Sequence, residues 1–96
     1  MRIDKYVWCV RLAKTRSLAT KLVAGNKVKL NGLECKPAKE VSIGDLISVQ
    51  KNNATFSFRI VTLIEKRLSA KLIGDYIVDE TSAEEIEKYK TYQAAQ

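Results

Sequence analysis

The sequence predicts an α+β fold, in which an N-terminal helical hairpin packs on a small, mostly antiparallel β-sheet and a C-terminal helix follows. Three observations predict it. Apolar residues recur with the helical period up to about residue 24, alternation of polar and apolar residues begins at residue 27, and a helix-capping sequence begins at residue 82. At 96 residues, the chain is long enough for one domain with a small core.

The first helix is predicted from about Ile3 to Leu12, because Ile3, Val7 and Val10 share one face of a helix. Asp4, near its start, suits the positive end of the helix dipole. After a turn, Ser17 is expected to cap a second helix, which is stopped by Gly25-Asn26, since either residue tolerates the left-handed conformation.

The sheet is predicted to begin with Lys27–Leu30, where the two lysines point outward and the two apolar side chains point inward. Asn31-Gly32 is typical of a two-residue hairpin turn, because such turns need two residues with positive φ. The return strand is predicted from Leu33 to Lys36 and is ended by Pro37.

Two further strands are predicted, Leu46 to Gln50 and, as the longest strand, Thr55 to Ile64, with Phe56 and Phe58 in the core. A turn at 43–45 precedes the first of them, and a turn at 52–53 separates the two.

Beyond residue 65 the pattern of apolar residues is weaker. It predicts a helical turn at 69–73, and Ser82 and Glu85 are placed to form a capping box. This box opens a helix from about Ala83, which is expected to fray before Gln96. The predicted domain division is 1–50 and 51–96, with the second part packed on the core of the first.

Charge is distributed unevenly along the chain. Residues 1–39 contain ten Lys or Arg and two acids, a net charge of +8, whereas residues 75–96 contain six acids and two lysines, a net charge of −4. Concentrated like charge gives a fold no structural benefit, so a polyanionic partner is indicated. A membrane surface is the weaker choice, because no long basic amphipathic helix is evident.

Several classes of function are excluded or disfavoured. The chain has no histidine, its two cysteines do not have metal-ligand spacing, and its four glycines form no phosphate loop. We therefore expect no enzymatic activity, no cofactor, no metal and no small-molecule substrate.

The cysteines are expected to be reduced thiols, with a redox pair as the alternative. Asp4, Lys5 and Arg11 interrupt the apolar residues near the N-terminus, and the longest apolar run is too short to span a bilayer, so a cytoplasmic protein is expected. A monomer is also expected.

The candidate RNA-binding residues are the cations of the N-terminal half together with nearby hydroxyl and amide side chains. Arg16 is expected to be exposed and to bind phosphate with two hydrogen bonds; Arg11 has the alternative of pairing with Asp4 or Glu34. Trp8 is expected to pack against the fold, with base stacking as the alternative. The full set is Arg2, Lys5, Arg11, Lys14, Thr15, Arg16, Ser17, Lys21, Lys27, Lys29, Asn31, Lys36 and Lys39.

These residues stand in an order that resembles the S4 RNA-binding domain over roughly residues 1–50. The resemblance is carried by residues 2–8, Arg11, Lys14 to Ala19, Val28 to Gly32, Lys36-Pro37 and Gly44-Asp45. Trp8, the Lys-Thr-Arg-Ser sequence and the short extension make the chain similar to the ribosome-associated heat shock protein 15 subgroup and to the P factor of bacterial ribosome quality control.

The resemblance implies an RNA-binding protein of the large ribosomal subunit, with ribosomal RNA and peptidyl-tRNA as partners during rescue of stalled nascent chains. Two alternatives remain open. One is a regulator of tRNA or transcripts without a ribosomal role, and the other is a protein–protein adaptor that uses the acidic C-terminal helix.

Overall fold

The computed structural model describes residues 1–94, which form three α-helices, one short 3₁₀ helix and a four-stranded antiparallel sheet. The strands lie in the sheet in the order of the chain. The predicted α+β class and the helical hairpin are confirmed. The helices are α1 (Ile3–Cys9), α2 (Arg16–Ala24), the 3₁₀ helix (Ala70–Asp75) and α3 (Ala83–Ala94), and the strands are β1 (Val28–Leu30), β2 (Leu46–Lys51), β3 (Ala54–Ile60) and β4 (Ile77–Asp79).

Helix α1 ends three residues before the predicted Leu12. Arg11 adopts a left-handed conformation with φ 64°, its N–H donates to the carbonyl of Trp8, and the next N–H donates to the carbonyl of Val7. This pair of hydrogen bonds is the Schellman motif, which satisfies terminal carbonyls and turns the chain out of the helix. Glycine normally occupies this left-handed position, and the arginine there gives no sequence signal that the helix stops.

Helix α2 begins at Arg16 and is capped by Thr15, whose hydroxyl accepts a hydrogen bond from the Leu18 N–H at 3.0 Å. The prediction of Ser17 as the cap is therefore wrong by two residues. The helix ends in a second Schellman motif, in which Asn26 takes the left-handed conformation (φ 61°) and Gly25 does not (φ −85°).

The turn at Asn31-Gly32 is confirmed, since both residues have positive φ and Leu30 and Leu33 exchange two hydrogen bonds across it. The predicted return strand 33–36 is wrong. The chain leaves β1 after this single bridge and runs to the start of α1, where the carbonyls of Pro37 and Lys39 accept hydrogen bonds from the first helical N–H groups. The main-chain partner of β1 is β2.

Strand β3 ends at Ile60 instead of the predicted Ile64. The N–H groups of Val61 and Thr62 both donate to the carbonyl of Tyr76, so the regular ladder cannot continue. Strand β4 was not predicted, because three residues are too few to show alternation. The predicted strand 46–50, the turn at 52–53 and the helical turn after residue 69 are confirmed.

The core lies between the helical hairpin and the inner face of the sheet. The predicted face of α1 is buried, and the hydroxyl of Tyr6 donates to the carbonyls of Thr62 and Tyr76. Phe58 packs on the core, whereas Phe56, predicted to lie within it, is half-buried and contacts Tyr89 of α3. The fully buried set includes Ile3, Tyr6, Val7, Cys9, Ala19, Val23, Val28 and Asp4.

Helix α3 begins with half of the predicted capping box. The N–H of Glu85 donates to the hydroxyl of Ser82, but the Glu85 carboxylate accepts from the backbone N–H of Thr55 on β3, at 3.0 Å. That hydrogen bond fastens α3 to the sheet and lowers the pKa of Glu85. The predicted fraying falls on residues 95–96, outside the described residues.

Candidate nucleic-acid interface

The carboxylate of Asp4 lies buried where α1 meets α2 and holds three side chains. Arg2 donates to both carboxylate oxygens, at 3.1 and 2.9 Å, and Arg16 donates to one of them at 3.2 Å. The hydroxyl of Thr20, one turn after Arg16, donates to the other at 3.0 Å. One acid therefore fixes the positions of two arginines that come from different elements.

The charges of this cluster do not cancel. Burial opposes ionisation of Asp4, but the hydrogen bonds from Thr20 and Arg2 and the positive charges of both arginines outweigh it and hold the pKa of Asp4 below its usual range. The ionised carboxylate offsets one guanidinium and leaves one positive charge in excess. The two arginine side chains are 48% and 41% exposed, so this charge faces solvent.

The expectation that Arg16 is freely exposed is only half right. Its Nη2 is bound to Asp4, and its Nε is buried without a hydrogen-bond partner within residues 1–94. The remaining guanidinium surface reaches solvent. Arg16 therefore both holds the helical hairpin together and presents charge.

Two other predicted cations face the segment at 65–68. Lys5 pairs with Glu65 at 3.2 Å, and Arg11 donates to the carbonyl of Leu68 at 3.3 Å. The alternative pairing of Arg11 with Asp4 or Glu34 is not formed. Lys5 and Arg11 thus bind the 65–68 segment and are not among the side chains held by Asp4.

Arg67 belongs to the same segment and is absent from the predicted set. Its guanidinium lies 5.6 Å from the centre of the Trp8 ring and donates to the carbonyls of Trp8, Ala13 and Lys14. Arg67 thus holds the turn between α1 and α2 in place. Trp8 packs under this arginine, as expected for a structural tryptophan. This contact could not be predicted, because no local sequence pattern pairs residues so far apart in the chain.

The other predicted lysines form no ion pair with a carboxylate within residues 1–94. Lys27 and Lys29 line a small groove with Ser48 and Gln50 on the outer, polar face of the sheet. Lys36 lies beside the end of α2. The set comprises Lys14, Lys21, Lys27, Lys29, Lys36 and Lys39.

The three predicted neutral candidates have different surroundings. Thr15 is occupied as the cap of α2, and Ser17 is exposed in the first turn. The side chain of Asn31 joins its turn to the start of β2, since its amide donates to Asp45 and its carbonyl oxygen accepts from the N–H of Leu46. These structural contacts occupy both polar ends of the Asn31 side chain.

Cys9 and Cys35 are free thiols, and burial raises the pKa of each. Residues 1–94 hold no group of three acidic, cysteine or histidine side chains placed to bind a metal ion. None of the described helices is both long and apolar enough to span a bilayer.

Comparison with known proteins identifies the family. The family model of the S4 domain matches residues 1–47. The trimeric structure of heat shock protein 15 from Vibrio cholerae superimposes with a TM-score of 0.83 at 31% sequence identity, covering all of this chain and 96% of that one. The chain belongs to the S4 domain family. The S4 domain is an RNA-binding module rather than an enzyme family, which agrees with the polyanionic partner indicated by the charges.

Two curated relatives extend the comparison. A heat shock protein 15 homolog of Aeromonas salmonicida is 40% identical over 83 residues, which is 86% of this chain and 62% of that protein. An RQC P-site tRNA stabilizing factor of Helicobacter pylori is 51% identical over 49 residues, 51% of this chain and 58% of that protein. The matched part of this chain thus spans less than two thirds of either relative.

Proposed function

We propose that this protein binds the large ribosomal subunit through its N-terminal basic surface, contacting ribosomal RNA and peptidyl-tRNA during rescue of stalled nascent chains. This surface comprises Arg2, Arg16 and the six lysines between residues 14 and 39. The observation that carries the proposal is that most of the N-terminal cations have no carboxylate partner within residues 1–94. Asp4 is already bound by two arginines, while the six lysines between residues 14 and 39 lack a carboxylate partner within residues 1–94. A polyanion would supply the missing negative charge.

The relatives support the choice of partner. A segment of 49 residues is 51% identical to a protein named for stabilising P-site tRNA, and a heat shock protein 15 homolog matches most of the chain. A ribosomal partner would place the protein in the cytoplasm. We propose that it acts there by binding alone, without catalysis and without a cofactor.

The proposed mechanism is recognition of RNA shape. Arg2 and Arg16 are fixed in position by Asp4 and so approach phosphates without a large loss of side-chain freedom. The lysines add charge that does not depend on base identity, and Ser17 adds a short hydroxyl donor near the start of α2. Such a surface fits the sugar–phosphate contour of folded RNA with little reading of bases.

Sucrose-gradient sedimentation tests the proposal. The protein is mixed with purified small subunits, large subunits, and large subunits carrying peptidyl-tRNA. We expect migration with large subunits, enhanced by peptidyl-tRNA, and loss of migration in the double variant Lys27→Gln/Lys29→Gln. The matched control, Lys88→Gln/Lys90→Gln, removes the same charge from α3 and is expected to migrate as the unmodified protein does.

The other outcomes separate the alternatives. Binding to free tRNA or transcripts without migration on subunits would indicate a regulator outside the ribosome. Partners that are retained in pull-downs after nuclease treatment would indicate a protein adaptor.

The monomeric state also stays a prediction, since the Vibrio cholerae relative is described as trimeric. Light scattering of the purified protein decides it.

A further inference from the structure

The inner face of the sheet is not fully covered by the helical hairpin. Beyond the core, a groove of about 290 Å³ lies between the end of α1 and helix α3. Its walls include the half-buried rings of Phe56, Phe58 and Tyr89, and its rim carries Arg11 and Lys51. Arg11 is the one residue of the predicted RNA-binding set among the residues that line this groove.

Two of the rings form a corner. The Phe56 and Tyr89 centroids are 5.3 Å apart, and the ring planes meet at 78°. A flat ligand can stack on one ring while its edge meets the other. The volume suits a single nucleobase, because it lies at the lower limit of pockets that hold larger organic ligands.

The charges at the rim select the kind of occupant. Lys51 Nζ lies 6.0 Å from the centre of the Tyr89 ring, and the residues that line the groove include two cations and no carboxylate. Arg11 is held at the rim by its left-handed backbone and by its hydrogen bond to Leu68. Aromatic rings flanked by cations match a base with its attached phosphate.

The corner is held in place by the sheet. Glu85, one helical turn before Tyr89, accepts a hydrogen bond from the backbone N–H of Thr55, next to Phe56. This contact fixes α3 against β3, so that Tyr89 does not need to be ordered when a ligand enters.

We infer that this groove binds one unpaired base of the RNA partner, stacked against Tyr89 and Phe56, with Arg11 and Lys51 at its phosphate. The inference rests on the proposed function, since it gives the RNA-binding surface a second contact that is specific for single-stranded nucleotides. Paired RNA would be bound by the N-terminal cations alone.

The test uses two RNA probes: a fully paired duplex, and the same duplex with a single-stranded overhang that contains the fluorescent adenine analogue aminopurine. The variants are Tyr89→Leu, which removes the ring, and Tyr89→Phe, which keeps it. Tyr92→Leu is the matched control, because Tyr92 lies on the same helix and does not line the groove.

We expect Tyr89→Leu to weaken binding of the overhang RNA by about fivefold or more and to leave binding of the duplex unchanged. Aminopurine fluorescence should fall when the unmodified protein or Tyr89→Phe binds, and should not fall with Tyr89→Leu. Tyr92→Leu should behave as the unmodified protein does. Circular dichroism shows whether each variant retains its fold.

Unchanged binding of both RNAs by Tyr89→Leu would overturn the inference while leaving the proposed function standing. Loss of sedimentation with large subunits in Tyr89→Leu, without any change in RNA affinity, would show a protein occupant and also overturn it. If the unmodified protein binds neither RNA nor large subunits, the proposed function fails, and the inference fails with it.

Discussion

The guanidinium of Arg16 donates a hydrogen bond of 3.2 Å to the carboxylate of Asp4, which is 1% exposed. This contact joins the first turns of two consecutive helices. It also fixes the direction in which the positive charge of Arg16 faces solvent, because an arginine bound to a buried acid keeps one orientation. The structural role of the pair and the proposed RNA contact therefore depend on the same atoms.

Asp4→Asn is expected to lower the free energy of unfolding by about 1–3 kcal/mol, because hydrogen bonds to a charged group are lost. The loss stays below that of a fully buried ion pair, since both arginines are half-exposed and can be solvated. Urea unfolding followed by circular dichroism measures it. Glu65→Gln is the control, because that carboxylate is 86% exposed, and a change of less than about 0.5 kcal/mol is expected.

The stability of the protein is expected to fall in acid because of the same carboxylate. The folded state lowers the pKa of Asp4, so its contribution is present above the unfolded pKa of about 3.9 and is lost as the pH falls through the folded value. Melting temperatures between neutral pH and strong acid should show this loss. In a plot of melting temperature against pH, the decline on the acid side should be shallower for Asp4→Asn than for the unmodified protein. Equal slopes in the two proteins would contradict the assignment of the acid sensitivity to Asp4.

Arg16→Lys and Arg16→Glu are expected to differ. Lysine keeps a positive charge near Asp4 and should preserve most of the stability. It lacks the planar guanidinium group, which can donate two hydrogen bonds to one phosphate, so this variant should bind RNA more weakly. Glutamate places a second acid beside a buried one, so it should reduce both stability and RNA affinity. Thermal unfolding and RNA titration of the two variants separate these effects. Full RNA affinity in Arg16→Lys would show that the guanidinium group of Arg16 does not contact phosphate.

The thiols are expected to react slowly at neutral pH. Burial raises the pKa of Cys9 and of Cys35, so little thiolate is present, and Cys9 has no exposed surface. Titration with Ellman's reagent should modify Cys35 slowly and Cys9 only after unfolding in urea. Rapid modification of Cys9 in the folded protein would contradict its placement in the core.

The elements that could be predicted from the sequence are those with a local physical cause. Helical spacing on α1, alternation in β1 and the Asn31-Gly32 turn each depend on residues close together in the chain, and each is confirmed. The charge asymmetry could likewise be read directly from the sequence. The S4 resemblance added the order of these elements.

The errors arise where a distant contact decides the outcome. The predicted strand 33–36 does not form beyond the single bridge at Leu33, because the following segment supplies carbonyls to the start of α1. Thr15 rather than Ser17 became the cap because α2 begins at Arg16, whose side chain is committed to Asp4. Arg67 and Thr20 were missed for the same reason, since their partners lie on other elements.

The salt dependence of RNA binding tests the central claim most directly. The logarithm of the affinity is measured against the logarithm of salt concentration for the unmodified protein, for Lys21→Gln/Lys27→Gln/Lys29→Gln and for the control Lys66→Gln/Lys88→Gln/Lys90→Gln. We predict that each N-terminal lysine removed reduces the steepness by about 0.7 to 0.9, and that the control keeps the original slope. A flat salt dependence in the unmodified protein, or equal slopes in all three, would contradict binding through the N-terminal basic surface.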